Sequence, residues 1–380
     1  DKAQYELENG KQPEATPEYQ VTHPTSYADT LLHILRGNIG SGLLAMGDAF
    51  KNGGIVFATI VTVLLGIICV HAQHLLLNCS EEMNRQTKRA KSANFADTVY
   101  LVFAHGPPRL RPIASTMKIL VNGFLCITQL GFCCVYIVFI ANNLKLICDQ
   151  YGINIDLSIH MIFVVIPVLL SCMVRNLKYL TPFSTVANIM MAVGVSAVVY
   201  EAAQNLPPVT TREYMASWQQ LPLYFGTAIY AFEGIGLVSD YNKLGNVVQS
   251  LIALAILCTY PLQFYVPIDI TWPYLRTKFA TKSPVLKELV YRGILVLLTF
   301  ILAESIPELG LFISLVGAVS STALALMFPP IIDMVMKSQQ AGGLRPYIVL
   351  KDCAIILLGL LVFVTGTYES LASIVRAFRV

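Results

Sequence analysis

Ten stretches of this chain are apolar over the length a bilayer demands, and that decides its fold class. A helix needs about 20 residues to cross the hydrocarbon core. Such runs fall near 28–50, 55–79, 113–147, 158–174, 180–202, 221–238, 247–272, 286–303, 309–336 and 352–375. The expectation is an all-α, polytopic transmembrane helical bundle of about ten spans. The 113–147 run exceeds one bilayer thickness and should tilt or extend into solvent. Charged residues make up 13% of the chain and hydrophobic ones 55%, against about a quarter charged in soluble proteins. The lipid bilayer is therefore an expected partner. A formal charge of +3, with no basic run beside interleaved aromatics, excludes nucleic acid. Most of the cysteines (Cys69, Cys126, Cys133, Cys134, Cys172, Cys258) fall within spans, and none forms a C-x-x-C pair. They read as small packing residues, with no metal or cofactor implied. Residues 1–26 are polar, with Pro13, Pro17 and Pro24, and read as a disordered cytosolic tail.

Basic residues orient the spans. The loop after the second span holds Arg85, Lys88, Arg89, Lys91, Arg109, Arg111 and Lys118, whereas Asp149 to Ser158 holds none. Arg175 and Lys178 follow the fourth span and a lone Arg212 the fifth. This alternation places the amino terminus in the cytosol. The second half conflicts with it. Arg276, Lys278, Lys282, Lys287 and Arg292 form another basic loop, as do Lys337, Arg345 and Lys351, and counting onward puts both outside. One span missing between Val238 and Leu251 restores the rule throughout.

Two of the runs are broken by glycine. The first holds Gly37, Gly40, Gly42 and Gly47 around Asn38, Ile39 and Ser41; the sixth reads Tyr224-Phe-Gly-Thr-Ala-Ile-Tyr-Ala-Phe-Glu-Gly-Ile-Gly236. Unwound backbone is tolerated at membrane depth only where it lines a protein-enclosed cavity. Paired interruptions in two halves of a chain point to a secondary transporter's binding site. Such a site would hold a zwitterion: the restarted first helix offers free N–H groups and a favourable dipole to a carboxylate, and carbonyls near the breaks accept an ammonium. Candidate binding residues are Gly37, Asn38, Ile39, Gly40, Ser41, Gly42, Phe225, Gly226, Thr227 and Phe232. The competing reading is that the glycines only permit close helix packing.

His33 stands four residues before Gly37, on the same helix face. Imidazole titrates at about 6.5 when unperturbed, so His33 is either the proton acceptor or a neutral ring bonded to a carbonyl. Glu233 is the only acid deep in the sixth span; it relays protons or ties that helix to a neighbour. His71 and His74 lie towards the cytosolic part of the second span; His71 is a further candidate for proton coupling, against a structural or interfacial role for both. Tyr136 and Tyr230 are candidate gates, against a packing role.

The stretches Leu32-His-Ile-Leu-Arg-Gly-Asn-Ile-Gly-Ser-Gly-Leu-Leu, Ile127-Thr-Gln-Leu-Gly-Phe-Cys-Cys-Val-Tyr-Ile-Val-Phe and Phe225-Gly-Thr-Ala-Ile-Tyr-Ala-Phe-Glu-Gly-Ile-Gly resemble the proton-assisted amino-acid transporters of the amino acid/auxin permease group. So do Tyr260-Pro-Leu-Gln-Phe-Tyr-Val-Pro and Ile313-Ser-Leu-Val-Gly-Ala-Val-Ser. The match runs in order over about 27–378. It implies an eleven-helix transporter with a leucine-transporter-like inverted repeat. The expected substrates are small neutral amino acids (glycine, alanine, proline type), carried by alternating access with the proton as coupling ion. The resemblance assigns proton coupling to the position of His33 and places a histidine at His71. It implies a first five-helix repeat at 27–202, a second at 203–336 lacking a helix near 239–250, and a cytosolic loop with the last helix at 337–380. The membrane is the plasma or the lysosomal/endosomal one. Two departures stand out: the seventh helix is missing after Gly236-Leu-Val, and a common proline of the first helix is Gly47, followed by Asp48. With the seventh helix goes a luminal cysteine, so no disulfide is implied. An enzyme is not expected, since no metal-ligand spacing, nucleophile elbow or phosphate-cradling loop is present. The alternative is an amino-acid-binding sensor or signalling scaffold, or a splice product without flux.

Overall fold

A computed structural model describes residues 42–88, 93–175, 181–204, 213–233, 246–279, 283–305, 308–339 and 343–378. Every element among these residues is helical. The helices are α1 (Gly42–Gly53), α2 (Ile55–Thr87), α3 (Phe95–Ala104), α4 (Ala114–Gln150), α5 (Leu157–Cys172), α6 (Thr181–Gln204), α7 (Leu221–Glu233), α8 (Asn246–Phe279), α9 (Pro284–Glu304), α10 (Leu309–Lys337) and α11 (Pro346–Ala377). Five runs, falling on α2, α4, α8, α10 and α11, are long and apolar enough to cross a membrane. The 37 residues of α4 reach about 56 Å, well beyond one bilayer core.

The packing is that of a membrane bundle. On α11 the inward face reads Ile348, Asp352, Ile355, Gly359, Val362, Gly366, Ser370 and Ile374, a helical period that turns several small or polar groups inward. Leu350, Leu357, Leu361 and Val364 point outward, more than half exposed, where only lipid can cover them. The outer face of α2 (Ile60, Val63, Leu64, Ile67) is alike. In the middle stands α4, buried at every position from Gly131 to Ala141; a helix apolar all round belongs in a core. Its most extensive partner is α8.

Helix α3 was not anticipated, because ten residues fall short of a span. Asn94 caps it, its side-chain oxygen accepting from the Asp97 N–H at 2.8 Å. The helix buries Val99, Leu101, Val102 and Phe103 against neighbouring helices. Lys118, expected in that loop, belongs to α4, where it pairs with Asp97 at 2.6 Å.

Polar ties fix which helix ends lie together. At one end Arg175, just past α5, pairs with Glu288 of α9 at 2.7 Å, and buried Arg292 pairs with Glu288 at 3.0 Å. Arg292 also donates to the Cys172 carbonyl at 2.9 Å, capping α5. At the other end Ser158 of α5 bonds Glu304 of α9. So α5 and α9 run antiparallel, and α9 starts on the side where α5 ends. Following α2, α4 and α5 through their turns, that side carries Arg85, Lys88, Arg109 and Arg111; it also receives the end of α8 and the start of α11. All the basic loops then share one face of the bundle, as the missing-span reading requires. Helices α7 and α8 both start from the opposite end. Only twelve residues, 234–245, separate them; as helix these would reach about 18 Å, short of a hydrocarbon core of about 30 Å.

Candidate functional site

Short helices α1 and α7 pair closely. The chain builds this pair from its turn outward. Gly54 adopts φ +79°, and a methyl there would stand 2.7 Å from the Met215 Cα. Freed from a side chain, the backbone meets residues 213–216: Ile55 N–H donates to the Glu213 carbonyl at 2.9 Å, and Ala216 N–H to the Gly53 carbonyl at 3.2 Å. One segment thus satisfies the first donors of α2 and holds the end of α1 against the start of α7. Gly53 lies on the Tyr224 ring, while Ala45 shares a buried cluster with Tyr230. The two helices are therefore antiparallel, and Ala45 of α1 comes level with Tyr230 of α7.

The expected break near Gly226 is absent: α7 runs unbroken from Leu221 to Glu233. Gly226 serves packing instead. A methyl on it would stand 2.5 Å from the Ser314 carbonyl oxygen, and one on Gly317 would run into the Gly226 carbonyl. Two backbones meet where neither helix has a side chain, the small-residue device of membrane bundles. Ser314 Oγ donates to the Leu223 carbonyl at 3.2 Å, and Ser370 Oγ to Ser314 Oγ at 3.0 Å, so α7, α10 and α11 are bolted at one level. There α10 widens into π-helical turns, Gly317–Ser321 and Ala323–Met327, and Thr322 Oγ1 donates to the Gly317 carbonyl five residues back at 2.8 Å. Such turns are frequent at functional sites.

The other candidates divide by helix face. Tyr136 of α4 and Tyr230 of α7 are fully buried, and Phe132 meets the Tyr230 ring edge-on at 4.8 Å. Both tyrosines thus sit in the core. Phe225 faces α2, edge-on to Phe57 at 6.2 Å. Phe232 lies over Gly66 of α2. Thr227 is buried. The structure therefore does not gather Phe225, Gly226 and Phe232 round one point. His71 is bonded to Lys351, 2.8 Å from its Nε2. Gly42 is the first described residue of α1 and Glu233 the last of α7; of the Glu233 side chain nothing is described. His33, Gly37, Asn38, Ile39, Gly40 and Ser41 lie outside the described residues.

Asp48, flagged in the sequence only as unusual, has a clear place. Its carboxylate lies against Gly310 in the first turn of α10, where the helix dipole favours an anion. It lines a cavity of about 150 Å³ with Lys51, Asn52, Leu223, Glu308 and Ser314, between α1, α7 and α10 at the end away from the basic loops. This charged vestibule was not read from the sequence. Its residues come from three distant segments, and only the α1–α10 packing unites them. A groove of about 530 Å³ along Val63, Gly66, Ile67, Val70, His71 and His74 lies on the lipid-facing side of α2. Among the described residues no group of His, Cys, Asp and Glu could hold a metal, and all nine cysteines are free.

Long apolar helices gathered in a bundle, with backbone-to-backbone packing between α7 and α10, make this a polytopic helical membrane protein. The chain belongs to the transmembrane amino acid transporter protein family, whose profile matches residues 23–241 and 237–372. The two matched stretches meet at the α7–α8 joint. The chain is 30% identical over 411 positions to the proton-coupled amino acid transporter-like protein pathetic of Drosophila melanogaster, covering 94% of this chain and 87% of the relative. Since 94% of 380 residues is about 357, roughly 54 of those 411 positions hold residues of the relative with no counterpart here. It is also 28% identical over 222 residues to vacuolar amino acid transporter 4 of Saccharomyces cerevisiae, covering 56% of this chain and 29% of that protein.

Proposed function

We propose that the chain carries small neutral amino acids of the glycine, alanine and proline type together with a proton, by alternating access. The observation that carries this reading is the close antiparallel pairing of α1 with α7, which brings the two glycine-bearing runs together inside the bundle. A break at Gly37–Gly42 would give a restarted helix whose amino end offers N–H groups and a partial positive charge. Carbonyls on the other side of that break would offer a partial negative charge. A zwitterion has the complementary pair of charges, and each must be hydrogen-bonded in a low-dielectric interior. The vestibule at Asp48 and Lys51 serves as entry from the end away from the basic loops. By the positive-inside rule that end is luminal or extracellular and the amino terminus cytosolic. His33, four residues before Gly37, takes the proton under this reading, with Glu233 as its relay. A vacuolar relative and a coupling proton favour an acidic organelle's membrane.

Uptake by proteoliposomes tests it. Acidifying the entry side should raise glycine, alanine or proline uptake, and His33→Ala should abolish that dependence. Uptake indifferent to pH removes the proton from the scheme. The short α7–α8 joint favours a second reading, binding without flux, as in a sensor. Saturable binding with no uptake at any pH selects it.

A further inference from the structure

Three helices bring buried charges together near the basic end of the bundle. Asp352 on α11 is 0% exposed and Asp333 on α10 is 1% exposed. Lys337 Nζ holds Asp333 Oδ2 at 2.6 Å. Lys351 Nζ stands 3.0 Å from Asp352 Oδ1 and 2.8 Å from His71 Nε2 on α2. An ammonium has donors and no acceptor, so the nitrogen it meets is a lone pair and His71 is neutral in this arrangement. Lys351 is aimed at the ring; its tie to Asp352 is one of charge, and both Asp352 oxygens lack an aligned donor among the described residues. Asp333 lies within hydrogen-bonding reach of Asp352. The groups facing this point are His71 and His74 from α2, Asp333 and Lys337 from α10, and Lys351 and Asp352 from α11, with the Cys79 thiol of α2 alongside.

With both aspartates ionised the two lysines and two aspartates cancel while His71 is neutral; a proton held between Asp352 and Asp333 would leave a net positive charge, to which a protonated ring only adds. A proton arriving on the ring removes the lone pair that Lys351 uses and sets two cations at hydrogen-bond distance. One destination then remains for the ammonium, the carboxylates that lack aligned donors. His71 lies five residues beyond Gly66, on which Phe232 rests, so this exchange happens about 7.5 Å to the basic side of Phe232.

We propose that His71, Lys351, Asp352 and Asp333 form a second proton-binding centre. Protonation of His71 hands Lys351 over from α2 to the buried carboxylates and releases α2 from α11 on the basic side. The centre is a property of the packing; only its service to substrate movement rests on the transport reading.

Two cysteines supply the test in the full-length, detergent-solubilised chain. Cys79 is fully buried two helical turns beyond His71, while Cys353 is exposed. Between pH 7.5 and 5 N-ethylmaleimide attack slows at any thiol as its thiolate fraction falls, so the Cys79/Cys353 labelling ratio reports exposure. The ratio should rise several-fold on acidification. His71→Gln, which keeps an acceptor but takes no proton, should hold it flat, and Lys351→Gln should leave it high at both pH values. Should His71→Gln fail to fold, Lys351→Gln alone decides: a ratio that is low at pH 7.5 and still rises with acid overturns the centre. So does a wild-type ratio that stays flat while uptake proceeds, or a rise of equal size in His71→Gln. A wild-type rise without amino-acid flux at any pH overturns the transport reading and keeps the centre.

Discussion

A methyl group at position 226 separates the two accounts of the sixth apolar run. If the chain unwound there, alanine would be tolerated. In the observed packing it meets the Ser314 carbonyl at 2.5 Å and Ser314 Oγ at 2.8 Å. Ordinary carbon–oxygen contact needs nearly 1 Å more, and a backbone carbonyl cannot swing aside as a flexible side chain can. Helices α7 and α10 would have to part by that amount, an overpacking that costs about 1–3 kcal/mol. Parting them also weakens the Ser314–Leu223 and Ser370–Ser314 hydrogen bonds, worth about 0.5–1.5 kcal/mol each. Less alanine's gain in helix propensity, up to about 1 kcal/mol, the net for Gly226→Ala is about 1–6 kcal/mol, and Gly226→Val should be worse. The control is Gly123→Ala in α4, where nothing lies within 4 Å of the added methyl. There the better helix propensity of alanine should add up to about 1 kcal/mol. Thermal denaturation of the purified protein in detergent, followed by thiol exposure at a fixed scan rate, gives the ranking. Gly226→Ala should fall several degrees below wild type while Gly123→Ala matches or exceeds it. Equal midpoints for the two variants would refute the backbone contact between α7 and α10.

Two further substitutions probe the ends of the bundle. Glu288→Gln leaves Arg292, buried and 3% exposed, without its anionic partner; breaking a buried pair typically costs about 3–5 kcal/mol, so the midpoint should drop while Glu304→Gln, on an exposed hydrogen bond, changes it little. Asp48→Asn removes the anion from the first turn of α10, losing about 0.3–1 kcal/mol of dipole stabilisation, and under the proposed entry path should raise the KM for uptake more than it lowers kcat.

What the sequence disclosed and what it hid follow from range. The long helices were legible because a run such as Ile55–Cys69 or Ile355–Val364 must be lipid-facing wherever it goes. The glycine-rich first run was legible as a place where backbone matters. Gly226 was not, because glycine permits both an unwound turn and a flush helix contact, and only the position of Ser314 and Gly317, some ninety residues away, chooses between them. Asn94 and the apolar residues after it went unread, because a criterion built on bilayer thickness passes over ten residues. Lys351 drew attention only as a loop charge, and Asp333 and Asp352 drew none, since nothing local says that α10 and α11 turn them inward onto His71.

The α7–α8 joint shows how charge and geometry constrain each other. Arg276, Lys278, Lys287 and Arg292 conflict with an even alternation of spans, yet Arg175 and Arg292 on Glu288 leave no freedom in where α9 begins. Moving those basic residues to the other face would strand Glu288 without Arg175 and break the α5 cap at Cys172 as well. The fold therefore keeps the orientation a full set of helices would give. A single-cysteine label at Lys282, expected to react from the same side as one at Arg109, decides whether the chain keeps it in a bilayer. Labelling from opposite sides would mean that α8 and α9 insert inverted, and the buried Glu288 triad could not then form.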